Sequence, residues 1–136
     1  MRPALLVIDI QKQLFDHTAT CQSLESAIEY INAAIALFRE KQLPIVSIQH
    51  VDPESGLVPG EAAFELPESL NIQDSDFHVH KHYGNSFNKT PLEAHLRELG
   101  VDTVIVTGYC AEYCVLFVES INDVISYGAL GRVLAG

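Results

Sequence analysis

The chain has 136 residues with 48% hydrophobic content, the size and composition of one packed domain, here taken as residues 1–136. Eight basic against 18 acidic residues give a formal charge of −10, which argues against nucleic acid and against anionic membrane surfaces, because both need clustered positive charge. No apolar run reaches the about 18 residues that span a bilayer, and the apolar opening meets Asp9 too early, with no cleavage site after it, to be a signal peptide. The three cysteines, Cys21, Cys110 and Cys114, have no paired spacing, so a reducing cytoplasm is the expected location.

Residues 4–8 are an unbroken apolar run ended by Asp9, the pattern of a strand buried on both faces. Leu24, Ile28, Ile31, Ile35 and Phe38 recur at helical spacing, with Ser23 as the expected N-cap. A second strand is predicted over 44–48. Residues 52–76 carry Pro53, Gly56, Pro59, Gly60 and Pro67 and read as a long surface excursion, a kind of segment that is usually functional or mobile. Residues 77–81 form a weaker third strand. Thr90-Pro91-Leu92-Glu93 has the form of a capping box with proline at the first helical position; Leu92, Leu96 and Leu99 make the apolar face and Gly100 closes the helix. A fourth buried strand covers 103–107, Gly108 follows, and a further helix is predicted from about 114 to 127. The tail holds at best one short strand, near 131–134. Apolar runs alternating with amphipathic helices mean an α/β fold: a parallel sheet with helices on both faces and right-handed crossovers.

In such sheets ligands bind beyond the carboxyl ends of the strands. Strand 1 ends at Asp9, strand 2 at Gln49 and His50, strand 3 at Lys81, and strand 4 at Gly108 with Cys114 soon after. A helix start and a neighbouring ammonium both favour a thiolate, so Cys114 has a physical route to nucleophilicity. Asp9 could take the thiol proton and return it to a leaving group. Each residue also has a plainer reading: a small buried side chain for Cys114, a charged strand terminus for Asp9, a solvated cation for Lys81. The catalytic assignment rests on all three sharing one rim.

Val7-Ile8-Asp9-Ile10-Gln11 with Phe15, then Lys81-His82-Tyr83-Gly84-Asn85-Ser86-Phe87 with Thr90 and Leu92, then Val106-Thr107-Gly108-Tyr109-Cys110-Ala111-Glu112-Tyr113-Cys114-Val115 resemble, in order and spacing, the three motifs of the isochorismatase-like cysteine hydrolases. The resemblance covers roughly residues 3–128. It implies a three-layer, doubly wound, mostly parallel sheet of Rossmann-like order. It further implies a cysteine nucleophile at Cys114, a proton-transferring Asp9, an orienting Lys81, and an oxyanion hole from backbone N–H groups near Tyr113 and Cys114. Members cleave nicotinamide, N-carbamoyl compounds, other small amides or isochorismate without an organic cofactor, and many are homo-oligomers. A non-proline cis bond, as relatives have it, maps onto Tyr109–Cys110. Where the family usually has Thr and Asp, this chain has Ala111, which removes a local hydroxyl, and Glu112, which keeps the charge with a longer reach. Members generally continue for another strand–helix–strand, so the C-terminal strands are expected to be missing or reduced here. Unpaired backbone near strand 4 or the tail would then favour a homodimer or larger.

His78, His80 and His82 alternate on the third strand, so they share a face that Lys81 does not. The metal-binding branch of the family carries an Asp and His pair after strand 2, where this chain reads Gln49-His50-Val51-Asp52. No catalytic metal is expected; a surface metal at the histidine row is the alternative, with a solvated or interface strand as the plainer one. Phe15, Tyr83, Phe87 and Tyr109, with Tyr113, are candidates for lining a ring-accepting pocket, core packing being the competing reading. His50 either hydrogen-bonds substrate or sits in the loop, and Cys110 is read as structural.

The expected function is therefore a cofactor-independent hydrolase cleaving a C–N bond of a small amide or carbamoyl substrate. Vinyl-ether hydrolysis of isochorismate is the second enzymatic reading, weakened because an acid could protonate that substrate without a thiol. A non-enzymatic binding or assembly subunit is the third.

Overall fold

A computed structural model describes residues 2–13, 18–83, 86, 87, 89–108 and 117–120. The elements are β1 (Pro3–Ile8), α1 (Thr18–Glu40), β2 (Ile45–His50), β3 (Phe77–Lys81), α2 (Leu92–Glu98), β4 (Thr103–Gly108) and β5 (Phe117–Ser120). They build a five-stranded sheet of order β3-β2-β1-β4-β5, in which the first four strands are parallel and β5 is antiparallel to β4.

β1, β2 and β4 form because each is the mostly apolar run that an inner parallel strand needs, all six residues of β1 being buried, whereas β3 is an edge strand that alternates exposed histidines with the buried Val79 and Lys81. Alternation then sorts them. Ala4, Leu6, Ile8, Val46, Ile48 and Val79 face one way and pack with Leu92 and Leu96 of α2. Leu5, Val7 and Ile45 face the other way and pack with Ile28, Ile31, Ile35 and Phe38 of α1. The result is three layers with a helix on each face. Strand order runs outward from β1 through β2 to β3, then restarts on the far side of β1 with β4. The reversal between β1 and β4 makes their carboxyl ends the switch point of a doubly wound sheet.

Four local expectations differ from the fold. α1 begins at Thr18, five residues before the predicted cap. The sequence of its first turn continues no apolar repeat, and extending an existing helix is far cheaper than nucleating one. At α2 the cap position is Pro91, without a side-chain cap bond, so the capping box is not formed. The Thr90 hydroxyl donates to the Ser86 carbonyl at 2.6 Å and accepts the Leu92 N–H at 3.4 Å, a single long bond in place of the reciprocal pair. Residues 117–120, expected within a helix, are a strand. Short apolar runs rich in aromatic and β-branched residues, such as Val115-Leu116-Phe117-Val118, suit either state, and pairing decides between them. That strand also covers the β4 edge from Thr103 to Val106, so the open edge expected there is occupied over that stretch.

The excursion after β2 is tied down along its length. Val51, Leu57 and Phe64 form a small buried cluster of their own. Lys12 and Gln13 donate backbone N–H groups to the Glu65 and Ala63 carbonyls. Asn32 of α1 donates to the Ser69 carbonyl and accepts from the Asn71 N–H. Arg39 closes the segment with two bonds to the Asp76 carboxylate at 2.8 and 3.1 Å.

Candidate active site

The carboxyl ends of β1, β2 and β3 bring Asp9, His50 and Lys81 together. Parallel register sets His50 beside Lys81 on the α2 face, one step beyond the Ile48–Val79 pair of the core. Apolar side chains line that face up to its last layer, and there two titratable groups take their place. Asp9 leaves β1 with φ +61°, a left-handed conformation that a residue with a side chain adopts only where the surroundings hold it. Its N–H donates to the Ile48 carbonyl at 2.9 Å and its own carbonyl accepts from Gln11 N–H.

The close approach of β4 to this turn depends on a glycine. Gly108 pairs with Ile8 and has φ +135°; a Cβ there would lie 2.0 Å from the Ile8 carbonyl oxygen. No residue with a side chain fits that position unless the strands move apart.

The Lys81 side chain is 2% exposed, and its Nζ lies 3.4 Å from Oδ1 of Asp9, 3.2 Å from Nδ1 of His50 and 3.3 Å from the Tyr83 carbonyl oxygen. His50 and the Tyr83 carbonyl accept hydrogen bonds from the ammonium, and Asp9 stands beside it as the ion-pair partner. Oδ1 of Asp9 is shut off from water, and the Lys81 contact is longer than an ordinary hydrogen bond. Burial pushes the Asp9 carboxyl above its usual range; the Lys81 ammonium opposes that shift without cancelling it. Burial, followed by the Lys81 ammonium, pushes the His50 imidazole below its usual value. The pair therefore offers a carboxylate with enhanced proton affinity beside a fixed cation, with a neutral imidazole alongside.

Gln11, quoted in the opening motif without a role, turns out to position the site. Its amide Nε2 donates to the carbonyls of His50 and Phe64, and its Oε1 accepts the His50 N–H at 2.9 Å. This one side chain imitates a strand partner for His50 beyond the end of β1. Gln49 adds a second donor to the Phe64 carbonyl. A buried glutamine two residues after a strand-end acid was the available signal, but its partners are 39 and 53 residues away.

The other candidates divide. Tyr83 brings its carbonyl to Lys81 and is an exposed residue whose ring lies beneath the Lys89 ammonium, and Phe87 packs against the α2-face core. Phe15, Tyr109, Cys110, Ala111, Glu112, Tyr113 and Cys114 lie outside the described residues, as does the expected Tyr109–Cys110 cis bond. His78 and His80 face away from Lys81, into an open cleft of about 610 Å³ on the α1 side. His78 bonds the Gln73 carbonyl and His80 stands edge-on to Phe64. Among the described residues, no group of three or more His, Cys, Asp or Glu side chains is placed to hold a metal, and no helix is long and apolar enough to cross a membrane.

A family model for the isochorismatase domain matches residues 3–118. The uncharacterised isochorismatase family protein YrdC of Bacillus subtilis is 30% identical over 116 residues, which are 84% of this chain and 62% of that protein. A crystal structure of an isochorismatase family protein superposes with TM-score 0.71 at 32% identity, covering 83% of this chain and 67% of the other. The N-carbamoylsarcosine amidase of Thermoplasma acidophilum gives TM-score 0.72 at 28% identity, covering 85% and 72%. The chain thus spans less than two thirds of the length of the curated relative, and the part it spans includes the switch point with Asp9 and Lys81. A doubly wound sheet, an acid and a lysine at its switch point, and a family model running from β1 through Val118 lead to one conclusion: this chain belongs to the isochorismatase family.

Proposed function

We propose that the chain is a cofactor-independent cysteine hydrolase that cleaves the C–N bond of a small amide or carbamoyl substrate. The observation that carries this reading is the buried Asp9–Lys81 pair at the switch point, with the carboxyl's proton affinity raised by burial. In the reaction, Asp9 takes the Cys114 thiol proton and the thiolate sulfur bonds to the substrate carbonyl carbon. The N–H groups of Tyr113 and Cys114 stabilise the resulting oxyanion. Collapse breaks the C–N bond as Asp9 gives its proton to the leaving nitrogen, leaving a thioester. Water, deprotonated by Asp9, attacks the thioester; the acid leaves and the thiol is restored. A carboxyl whose pKa is raised toward the working pH suits both directions of this transfer. Lys81 holds the Asp9 carboxylate in place and favours the thiolate by its charge. Phe15, Tyr83, Phe87 and Tyr109 are assigned to the substrate pocket.

The similarity to an N-carbamoylsarcosine amidase favours the C–N substrate over a vinyl ether. Ammonia release from a panel of primary amides and N-carbamoyl compounds tests the reading. It should persist after dialysis against a strong chelator and disappear in Cys114→Ala, and iodoacetamide at neutral pH should label Cys114 faster than Cys21. Release of a keto acid from isochorismate, with no ammonia from any amide, would replace this reading with the vinyl-ether one. Turnover of neither class would leave a binding subunit. Light scattering at micromolar concentration tests the homo-oligomer expected of this family.

A further inference from the structure

The contact between Lys81 and His50 fixes more than the position of an ammonium. A protonated lysine has donors and no acceptor, so Nδ1 of His50, 3.2 Å from Nζ, must be the bare, accepting nitrogen. The imidazole proton then sits on Nε2, which has no partner among the described residues. Gln11 holds the backbone of His50 from both its N–H and its carbonyl, so the ring is presented from a fixed base. His50 is half-buried at the end of β2, beside the Asp9–Lys81 pair.

The charges around this donor narrow what it can receive. The Lys81 ammonium is matched by the Asp9 carboxylate, and the tautomer argument makes His50 neutral. Asp52 and His82 are the other titratable groups whose charges reach the ring, one an acid and the other an exposed imidazole. No unpaired cation among these groups stands ready for an incoming carboxylate, which would instead meet Asp9.

We propose that His50 is a specificity-determining residue of this site, a neutral Nε2–H donor locked by Lys81 that donates to the carbonyl oxygen of an uncharged amide group and discriminates against a carboxylate in its place. The proposal rests on the site assignment above, and its test does not require turnover. The full chain carrying Cys114→Ala, labelled with nitrogen-15 at histidine, is observed by two-bond nitrogen–proton correlation. His50→Gln identifies the signal. In the free protein, His50 should show the Nε2–H pattern at neutral pH. Titration with acetamide and benzamide should move the Nε2 resonance saturably, with dissociation constants on the order of tenfold or more below those of acetate and benzoate, because like charges brought together in a desolvated site repel. An Nδ1–H or doubly protonated His50 at neutral pH would overturn the tautomer assignment and the proposal with it. An equal or stronger response to the carboxylates, or no response to any probe, would overturn it as well. A positive amide response without ammonia release from the wild-type chain would retain the specificity role and reject the hydrolase reading.

Discussion

The two ends of the sheet handle polar groups in opposite ways. At the amino ends of the strands, Arg2 donates from its backbone to Asp102 and from Nε to the Leu99 carbonyl at 2.8 Å; His95 stacks on Phe77 at 3.6 Å; Arg39 grips Asp76 with two bonds. These contacts are short and mostly in reach of water. At the carboxyl ends, Lys81 is almost fully buried, its three contacts run from 3.2 to 3.4 Å, and Asp9 sits in a left-handed conformation with a water-excluded oxygen. The first end is built like an ordinary protein surface. The second keeps charges out of water without satisfying them fully, which costs stability and leaves a carboxyl ready to exchange a proton.

The largest effect should come from breaking the buried pair on one side only. Lys81→Met leaves the Asp9 carboxylate without its cation; a loss of about 3–5 kcal/mol is expected, with turnover abolished. Urea unfolding beside an ammonia assay checks both, and a variant as stable as wild type would mean that the ion pair is not buried in solution.

Gly108→Ala comes next. Its Cβ would strike the Ile8 carbonyl from a backbone conformation unfavourable to any side chain, so destabilisation of about 3 kcal/mol is expected by the same unfolding measurement. Gly56→Ala, also at positive φ but with open space around it, provides the control for conformation without collision and should cost less.

Gln11→Leu removes three hydrogen bonds, two from the His50 backbone and one from the Phe64 carbonyl, which keeps its Gln49 donor; about 2 kcal/mol is expected. Because the strap carrying Phe64 is held by this amide, hydrogen exchange at residues 63–65 should accelerate in the variant while that of β4 follows only global stability.

The smallest effect is the sharpest comparison, because the two ends carry opposite signs with pH. Burial alone would raise Asp76, but the Arg39 bonds, the Gln73 N–H and the Arg39 charge outweigh it and hold the carboxyl below its usual range. A lowered folded pKa makes this contribution present above the unfolded value, about 4, and lost as pH falls through the folded one. Asp9 is raised, so its contribution is present below the unfolded value and lost as pH rises through the folded one. Subtracting the stability curves of Asp76→Asn and Asp9→Asn from wild type between pH 3 and 8 should give differences of opposite slope, the Asp76 one no larger than about 1 kcal/mol because Arg39 is partly exposed. Two slopes of the same sign would remove the contrast between the ends.

By itself the sequence determined the α/β class, the four parallel strands and α2, because β1, β2 and β4 are apolar runs between breakers, β3 alternates with period two, and each helix repeats at its own period. It also pointed to Asp9, His50 and Lys81, because a strand boundary puts its last polar residue at the rim where parallel sheets bind ligands. The start of α1 was hidden because Thr18 to Cys21 continue no apolar repeat in the sequence, and residues 117–120 because the apolar run at 115–118 suits helix and strand alike until β4 pairs with 117–120. Only the tertiary structure decided that His50 and Lys81 are register partners 31 residues apart, that Nζ of Lys81 lies beside Nδ1 of His50, and that Gln11 serves as its missing strand neighbour. These are contacts between residues distant in sequence, fixed by sheet register and by one left-handed turn at Asp9, and no local propensity or spacing encodes them.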